Sequence, residues 1–444
     1  MSNVIGQGLM LPAGPEPGAA NTRLLSGLGM VLRSGLFLAA LLLVWISVRP
    51  FQDISGTQTP GATSIGGDTL NQLAYLALAA GFALFLLFHG AEELRALFSP
   101  WLLVIGGWLV LTVILSQHPD LSARRFALVM IVTGIAVVMP LLPRDLNHFA
   151  DMLAAAVLIV LALCYGGVLL APHLAIHQAS DPMESLAGNW RGVFSHKNTA
   201  GAMMALFIYI GFFVASVRNI AVGGLIVAAS AVFLYFSEAK TAILVTPVIF
   251  LFIPILLAIP VTAVRIMICA SLIAAMNLFT IGSVFIPGIA DFLSTVMSDP
   301  TFTGRTYVWS FMRDHMPGHL LTGYGFSAFW NSPEIIYGPT EVPEFVPQLS
   351  SGHNSYLDMA LTIGVPGALL VTGWLLAAPL LEVRRRPGTA RERALVLLCL
   401  RIWMLGLILA GFETIMLQRD DTLWFMTVMS ICTLRLMRVR QVKV

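Results

Sequence analysis

Thr241–Ile286 reads TAILVTPVIFLFIPILLAIPVTAVRIMICASLIAAMNLFTIGSVFI, and Arg265 is its only charge. A run this long and this apolar has too much surface to hide in an ordinary soluble core. It fits a pair of helices crossing hydrocarbon, each needing about 20 residues, over 241–259 and 262–286 with Pro260-Val261 between them. At Pro287 the character changes. Residues 287–353 form one long polar segment that carries Gly304-Arg305, Gly323-Tyr324-Gly325 and Ser351-Gly352-His353-Asn354. A guanidinium and an imidazole held over a hydrocarbon scaffold point to chemistry on an anionic, lipid-borne substrate.

The same apolar pattern fills the chain on either side. Of 444 residues, 57% are hydrophobic and 11% charged, against about 25% charged in soluble domains. The fold class is therefore an all-α polytopic integral membrane protein. A net charge of +2 carries no nucleic-acid signature. Apolar runs predict spans at 27–48, 72–89, 97–116, 124–142, 149–171, 200–217 and 219–236 before the quoted pair. Others follow at 354–380, 394–412 and 421–437, about twelve in all. Residues 1–26, with Pro12, Pro15 and Pro17, read as a disordered tail. The remainder divides into a bundle at 27–286, a loop at 287–353, closing helices at 354–437 and a basic tail at 438–444. No small-residue cleavage pattern follows the first run, which reads as an uncleaved anchor.

Arginine placement gives the orientation. Alternate loops hold Arg95, Arg144, Arg218, Arg265, the cluster Arg384-Arg385-Arg386, and Arg391 and Arg393; the tail adds Arg435, Arg438, Arg440 and Lys443. By the positive-inside rule those loops and both termini are cytoplasmic. The polar segment then lies on the other side, the periplasm if the membrane is a bacterial inner membrane. The four cysteines, Cys164, Cys269, Cys399 and Cys432, fall inside predicted spans as small hydrophobes, with no ligand spacing among them.

Charged residues on the outer side are the informative set. Arg124-Arg125 begin a helix there; loop 172–199 carries His173, His177, Asp181, Arg191, His196 and Lys197; the turn near 237–241 carries Glu238 and Lys240; the last outer turn carries Glu413, Arg419, Asp420 and Asp421. For Arg124, Arg125 and Lys197 the plain alternative is snorkelling to the headgroup layer. Lys240 is expected to be buried at a tight inter-helix turn, where an ionisable group faces a cavity or a partner. In the stretch Trp190–Gly201, Asn198 or Thr199 can cap a helix whose positive end, with Arg191, His196 and Lys197, suits a phosphate. A capped helix whose cations touch headgroups fits those residues equally. His353 at the start of a helix is a candidate general base, or a simple helix-capping residue. The pairs His173/His177 and His315/His319 have helical metal-ligand spacing, but Pro317-Gly318 breaks the second and no third ligand is fixed for the first. No Walker A, Rossmann or HExxH motif is present.

Taken in order, Phe194-Ser195-His196-Lys197-Asn198, Ser237-Glu238-Ala239-Lys240-Thr241, Gly304-Arg305, Trp309, Gly323-Tyr324-Gly325 and His353-Asn354-Ser355-Tyr356 through Gly364 and Gly367 resemble the bacterial O-antigen ligase and polysaccharide polymerase superfamily. The resemblance covers roughly residues 190–380. It implies a GT-C-type glycosyltransferase of about twelve helices with a large periplasmic loop. It implies an undecaprenyl-pyrophosphate-linked glycan donor, a sugar acceptor on a lipid carrier or on lipid A–core, and neither cofactor nor metal. A chain-length regulator and a flippase are the candidate partners. His353 matches the family's essential loop histidine and Arg305 an essential arginine. Lys240 stands where ligases carry an arginine after serine, which keeps the charge and loses the bidentate fork. Lys240-Thr241 and Val48-Arg49-Pro50-Phe51-Gln52-Asp53 look like the succinoglycan-type polymerases. The expected catalytic set is His353, Arg305 and Lys240. Arg191, His196, Lys197, Asn198, Asn354, Tyr356, Glu413, Arg124 and Arg125 are expected to bind the pyrophosphate or sugar. A flippase would instead need symmetric repeats and charges near the midplane, and a passive scaffold would leave the cations dispensable.

Overall fold

The computed structural model describes residues 17–48, 50–51, 69–88, 91–181, 184–330, 332, 335, 349, 351–383 and 388–442. Arg49, Gln52 and Asp53, the cluster Arg384-Arg385-Arg386, Lys443 and most of 331–350 lie outside the described residues. Within them the chain is seventeen α-helices, and its single β-bridge joins Ile176 to Trp190. The first half holds α1 (Pro17–Ile46), α2 (Thr69–Leu87), α3 (Ala91–Leu97), α4 (Pro100–Ile114), α5 (Pro119–Val138), α6 (Leu146–Leu170) and α7 (Pro172–Ala175). A central group follows: α8 (Lys197–Val217), α9 (Ile220–Ser237), α10 (Lys240–Ala258) and α11 (Thr262–Phe279). The polar segment contains α12 (Gly282–Phe285) in its approach, then α13 (Pro287–Val296) and α14 (Arg305–Asp314). The chain closes with α15 (Ser355–Glu382), α16 (Ala390–Leu409) and α17 (Thr422–Val442).

Among the described residues ten helices are long and apolar enough to cross a membrane, so the chain is an all-α, multi-pass membrane protein. Twelve spans are expected from the sequence, and the two shortfalls have simple causes. The run at 97–116 folds as α4, only 15 residues long. The run at 394–412 folds as α16, where every eighteen-residue window keeps Glu392, Arg393 and Arg401. The expected span 262–286 breaks at Thr280, whose φ of −100° and ψ of −92° end α11. The first helix starts at Pro17, so residues 17–26, read as tail, lie within it.

Burial sorts the bundle. The spanning windows of α8 and α17 are 72% and 78% buried, against 17% for α2 and for α11. The first two are therefore central and the others face lipid. In hydrocarbon, helices associate by close packing rather than by the hydrophobic effect. Accordingly α8 and α9 meet through Gly211 and Gly223, where a Cβ on Gly223 would overlap Ala215 N and Gly211 O.

One helix is broken on purpose. In α15, Gly364 has φ 76° and ψ 164°, and Pro366 has no N–H to give Thr362 O. The freed groups are satisfied from outside, as hydrocarbon demands. Val365 N donates to Leu320 O (2.8 Å), Leu361 O accepts from Tyr324 N (3.0 Å) and Thr362 O from Gly325 N (3.0 Å). Trp108 Nε1 donates to Ile363 O (2.9 Å). The Gly323-Tyr324-Gly325 motif is thus a backbone strap laid on the break, fastening the polar segment to the bundle. Gly364→Ala places a Cβ into Leu321 O at a left-handed φ. We expect it to cost about 1–3 kcal/mol and to lower the melting temperature in detergent. Gly106→Ala, which meets nothing within 4 Å, is the control, and equal melting of the two variants would contradict the strap.

Candidate active site

The first turn of α15 builds one wall. Asn354 and Ser355 are both fully buried. Asn354 caps the helix by accepting from Leu357 N (3.0 Å) and donates through Nδ2 to Gly411 O (2.9 Å). Ser355 N donates to Ala410 O (2.8 Å). Its hydroxyl donates to Glu413 O (2.9 Å) and accepts from Ile415 N (2.7 Å). These bonds pin the 410–416 turn, between α16 and α17, against the start of α15. One turn further on, the Asp358 carboxylate accepts from Gly352 N (3.1 Å), Trp330 Nε1 (2.7 Å) and Thr414 Oγ1. Trp309 Nε1 donates to Gly352 O (2.9 Å). Gly352 is therefore gripped from both sides, and next to it His353 sits at φ 51°, a left-handed conformation that histidine adopts more readily than bulkier residues.

So held, His353 meets Glu413: Nδ1 lies 3.0 Å from Oε2. The other carboxylate oxygen accepts from Arg305 Nη2 (2.7 Å) and Asn198 Nδ2 (3.2 Å). Four distant segments, at the starts of α8, α14 and α15 and in the 410–416 turn, converge on one carboxylate. Burial alone would raise the Glu413 pKa. The hydrogen bond from His353 and the charge of Arg305 outweigh it and hold the group at about 2. An ionised carboxylate only accepts, so His353 Nδ1 carries a proton, which in a neutral imidazole leaves the lone pair at Nε2. The side chains of His353, Arg305 and Glu413 are 38%, 19% and 33% exposed, open enough to meet a substrate.

A second group lies alongside. His196 Nδ1 accepts from Asn198 N (3.1 Å), capping α8, and its ring packs 5.4 Å from that of His177. Burial, then the neighbouring His177, push the His196 pKa down to about 4. His177 Nδ1 lies 3.1 Å from Asp181 Oδ2 and its Nε2 accepts from Lys197 N (3.3 Å). Lys197 Nζ donates to Glu238 O (3.3 Å). The Asn189 amide, turned to suit its neighbours, accepts from Lys197 Nζ (2.8 Å) and donates to Glu238 Oε2 (3.1 Å).

Residues 204–372 match the family described as O-antigen ligase. Over that stretch the chain is similar to the O-antigen ligase family. That likeness implies a glycosyltransferase-type enzyme, ligase or polymerase. A search of curated proteins returned no match. The matched segment includes Lys240, Arg305 and His353, while Asn198 and Glu413, which complete the constellation, flank it on either side.

The structure sorts the expected site residues. Arg305, His353, Asn198 and Glu413 come together, with His196 and Lys197 beside them. Lys240 departs from expectation: it is exposed, as the first residue of α10 at an open turn, rather than buried. Arg191 is also a correction. It is 1% exposed and its Nη1 donates to Phe194 O (3.2 Å), so its guanidinium shapes its own loop instead of facing a ligand. Tyr356 gives its hydroxyl to Leu407 O (2.8 Å), and Asn354, besides the bonds described above, donates through Nδ2 to Asn277 Oδ1 (3.2 Å); both position the site. Arg125 donates to Ser327 O and to Trp330 O (2.9 Å), holding the far side of the polar segment, and Arg124 is exposed. Asp358 was not singled out from the sequence, although one acid inside an apolar run is a costly choice and hence a signal.

Proposed function

We propose that the enzyme is a polymerase, joining undecaprenyl-pyrophosphate-linked oligosaccharide repeats into a polysaccharide at the outer face of a bacterial inner membrane. The observation that carries this reading is the His353–Glu413–Arg305 constellation at the polar end of a membrane bundle. The membrane keeps the lipid tail in hydrocarbon and the sugars in water, so it supplies orientation. An acceptor hydroxyl oxygen attacks the anomeric carbon while the bond to pyrophosphate breaks, and the configuration inverts. The hydroxyl proton goes to His353 Nε2. Glu413 fixes the imidazole through Nδ1 and favours the imidazolium that forms. The bonding electrons leave on pyrophosphate, whose charge is met by the remaining N–H donors of Arg305, with Lys197 and Lys240 as nearby cations.

The opposite end of the bundle supports this choice of side. There Arg218 pairs with Asp151 (2.7 Å), and Arg435 (2.8 Å) and Arg438 (3.2 Å) with Glu382. This basic end supports a cytoplasmic assignment, with both termini inside. Lys240-Thr241, in place of the serine–arginine pair of ligases, favours polymerase. The description of the matched family favours the ligase alternative, transfer to lipid A–core. The product decides between them. Purified protein given only lipid-linked repeats is expected to yield longer glycans still on the lipid carrier. Glycan appearing only when lipid A–core is added would make it a ligase.

A further inference from the structure

The polar segment holds a cavity that the transfer chemistry leaves unused. It lies between α12, α13 and α14, has a volume of about 480 Å³, and falls within the range of small-molecule sites, about 300–1,000 Å³. Its polar lining is Ser283, Ser294, Thr306, Ser310 and Arg313. Thr306 and Ser310 are one turn apart on α14, as are Ala290 and Ser294 on α13, so each helix presents one hydroxyl-bearing stripe to the space. Arg305 opens α14 immediately before Thr306. The cavity therefore starts at the Arg305 end of α14 and runs along the helix, on a face about 100° round from the one that carries Arg305 and Trp309.

Its chemistry is that of a polyol site rather than an anion site. Arg313 is the one charged lining residue, and its charge is answered by Asp314 at 2.8 Å, with Nη1 given to Val284 O. Ser283 and Ser294 donate to Thr280 O (2.6 Å) and Asp291 O (2.7 Å), which leaves their lone pairs to accept from an incoming hydroxyl. The outer side of the cavity wall is apolar. Phe292 and Val296 are 51% and 59% exposed, and Phe292 packs on Phe279 of the lipid-facing α11 at 6.0 Å. That places α13 as an amphipathic helix at the bilayer surface, where a lipid-borne sugar arrives.

We infer that this cavity is a saccharide subsite, which seats the sugar rings of the lipid-linked glycan next to the anomeric carbon that reacts at Arg305 and His353. The inference rests on the transfer reading above and is tested apart from it. The native Cys164, Cys269, Cys399 and Cys432 are all buried, so Ser310→Cys creates a thiol that maleimide labels selectively in the full-length protein in nanodiscs. The probes are the oligosaccharide repeat released from the producing strain's surface polysaccharide, and inorganic pyrophosphate. The repeat is expected to slow labelling several-fold and pyrophosphate to leave it unchanged. Equal protection by pyrophosphate, or none by the repeat, overturns the subsite. In parallel, Ser310→Trp is expected to raise KM for the lipid-linked glycan about tenfold with little change in kcat, whereas His353 variants lose kcat. A fall in kcat alone counts against the subsite. Protection without turnover keeps the saccharide site and removes the transfer reading; turnover without protection does the reverse.

Discussion

Replacing His353 by asparagine is expected to cut turnover by about 10²–10⁴-fold while leaving the amount of membrane-inserted protein unchanged. Asparagine is the informative replacement because His353 sits at φ 51°. Alanine there would add a backbone penalty to the loss of the imidazole, whereas asparagine tolerates the left-handed region. An amide still donates to Glu413, so the carboxylate keeps a partner and Arg305 keeps its place. What is lost is the lone pair at Nε2. The measurement is single-turnover release of the lipid pyrophosphate from saturating lipid-linked glycan, with melting temperature recorded alongside. Near-normal turnover in well-folded His353→Asn would falsify the assignment of His353 as the base. A normal kcat with raised KM would make it a binding group only.

The membrane fold is legible in the sequence because run length and charge count answer directly to hydrocarbon thickness. The polar segment is legible for the same reason, and with it Arg305 and His353 as charged groups on one face. Hydropathy is silent on the break at Gly364, since the residues on either side of it are equally apolar. Only the chain-wide pairing of Leu361 O and Thr362 O with the Tyr324–Gly325 backbone explains it. Lys240 departs from expectation because a short turn does not impose burial: the first residue of a helix can point its long side chain outward. Arg191 departs in the opposite direction. Its loop folds back so that Arg191 N and Gly192 N both donate to Ala175 O, and the guanidinium is covered. Glu413 is expected from the sequence only as a binding group. Its role as the shared acceptor depends on contacts spanning 60, 108 and 215 residues, which no local spacing encodes.

That shared role gives Glu413 the second large expected effect. Glu413→Gln has nearly the same shape, yet its amide offers one acceptor and one donor where the site needs two acceptors. The NH₂ must face either Arg305 or His353, both donors. Arg305 then loses its countercharge, and His353 is no longer held with the proton on Nδ1. Turnover is expected to fall by about 10²–10⁴-fold, as when the orienting acid of a catalytic histidine is made an amide. The pH dependence of stability separates this from simple damage. In the folded protein the Glu413 pKa lies below the ordinary glutamate value of 4.5, at about 2. Its stabilisation is therefore complete above that ordinary value and drains away as pH falls from about 4.5 towards about 2. Wild-type protein is expected to melt at progressively lower temperature across that acid window. The Gln variant, with nothing to titrate at this position, is expected to lose that part of the slope and to start from a lower melting temperature at neutral pH. Parallel acid profiles for the two proteins, or full turnover in the variant, would remove Glu413 from the centre of the site and leave Arg305 and His353 without a common partner.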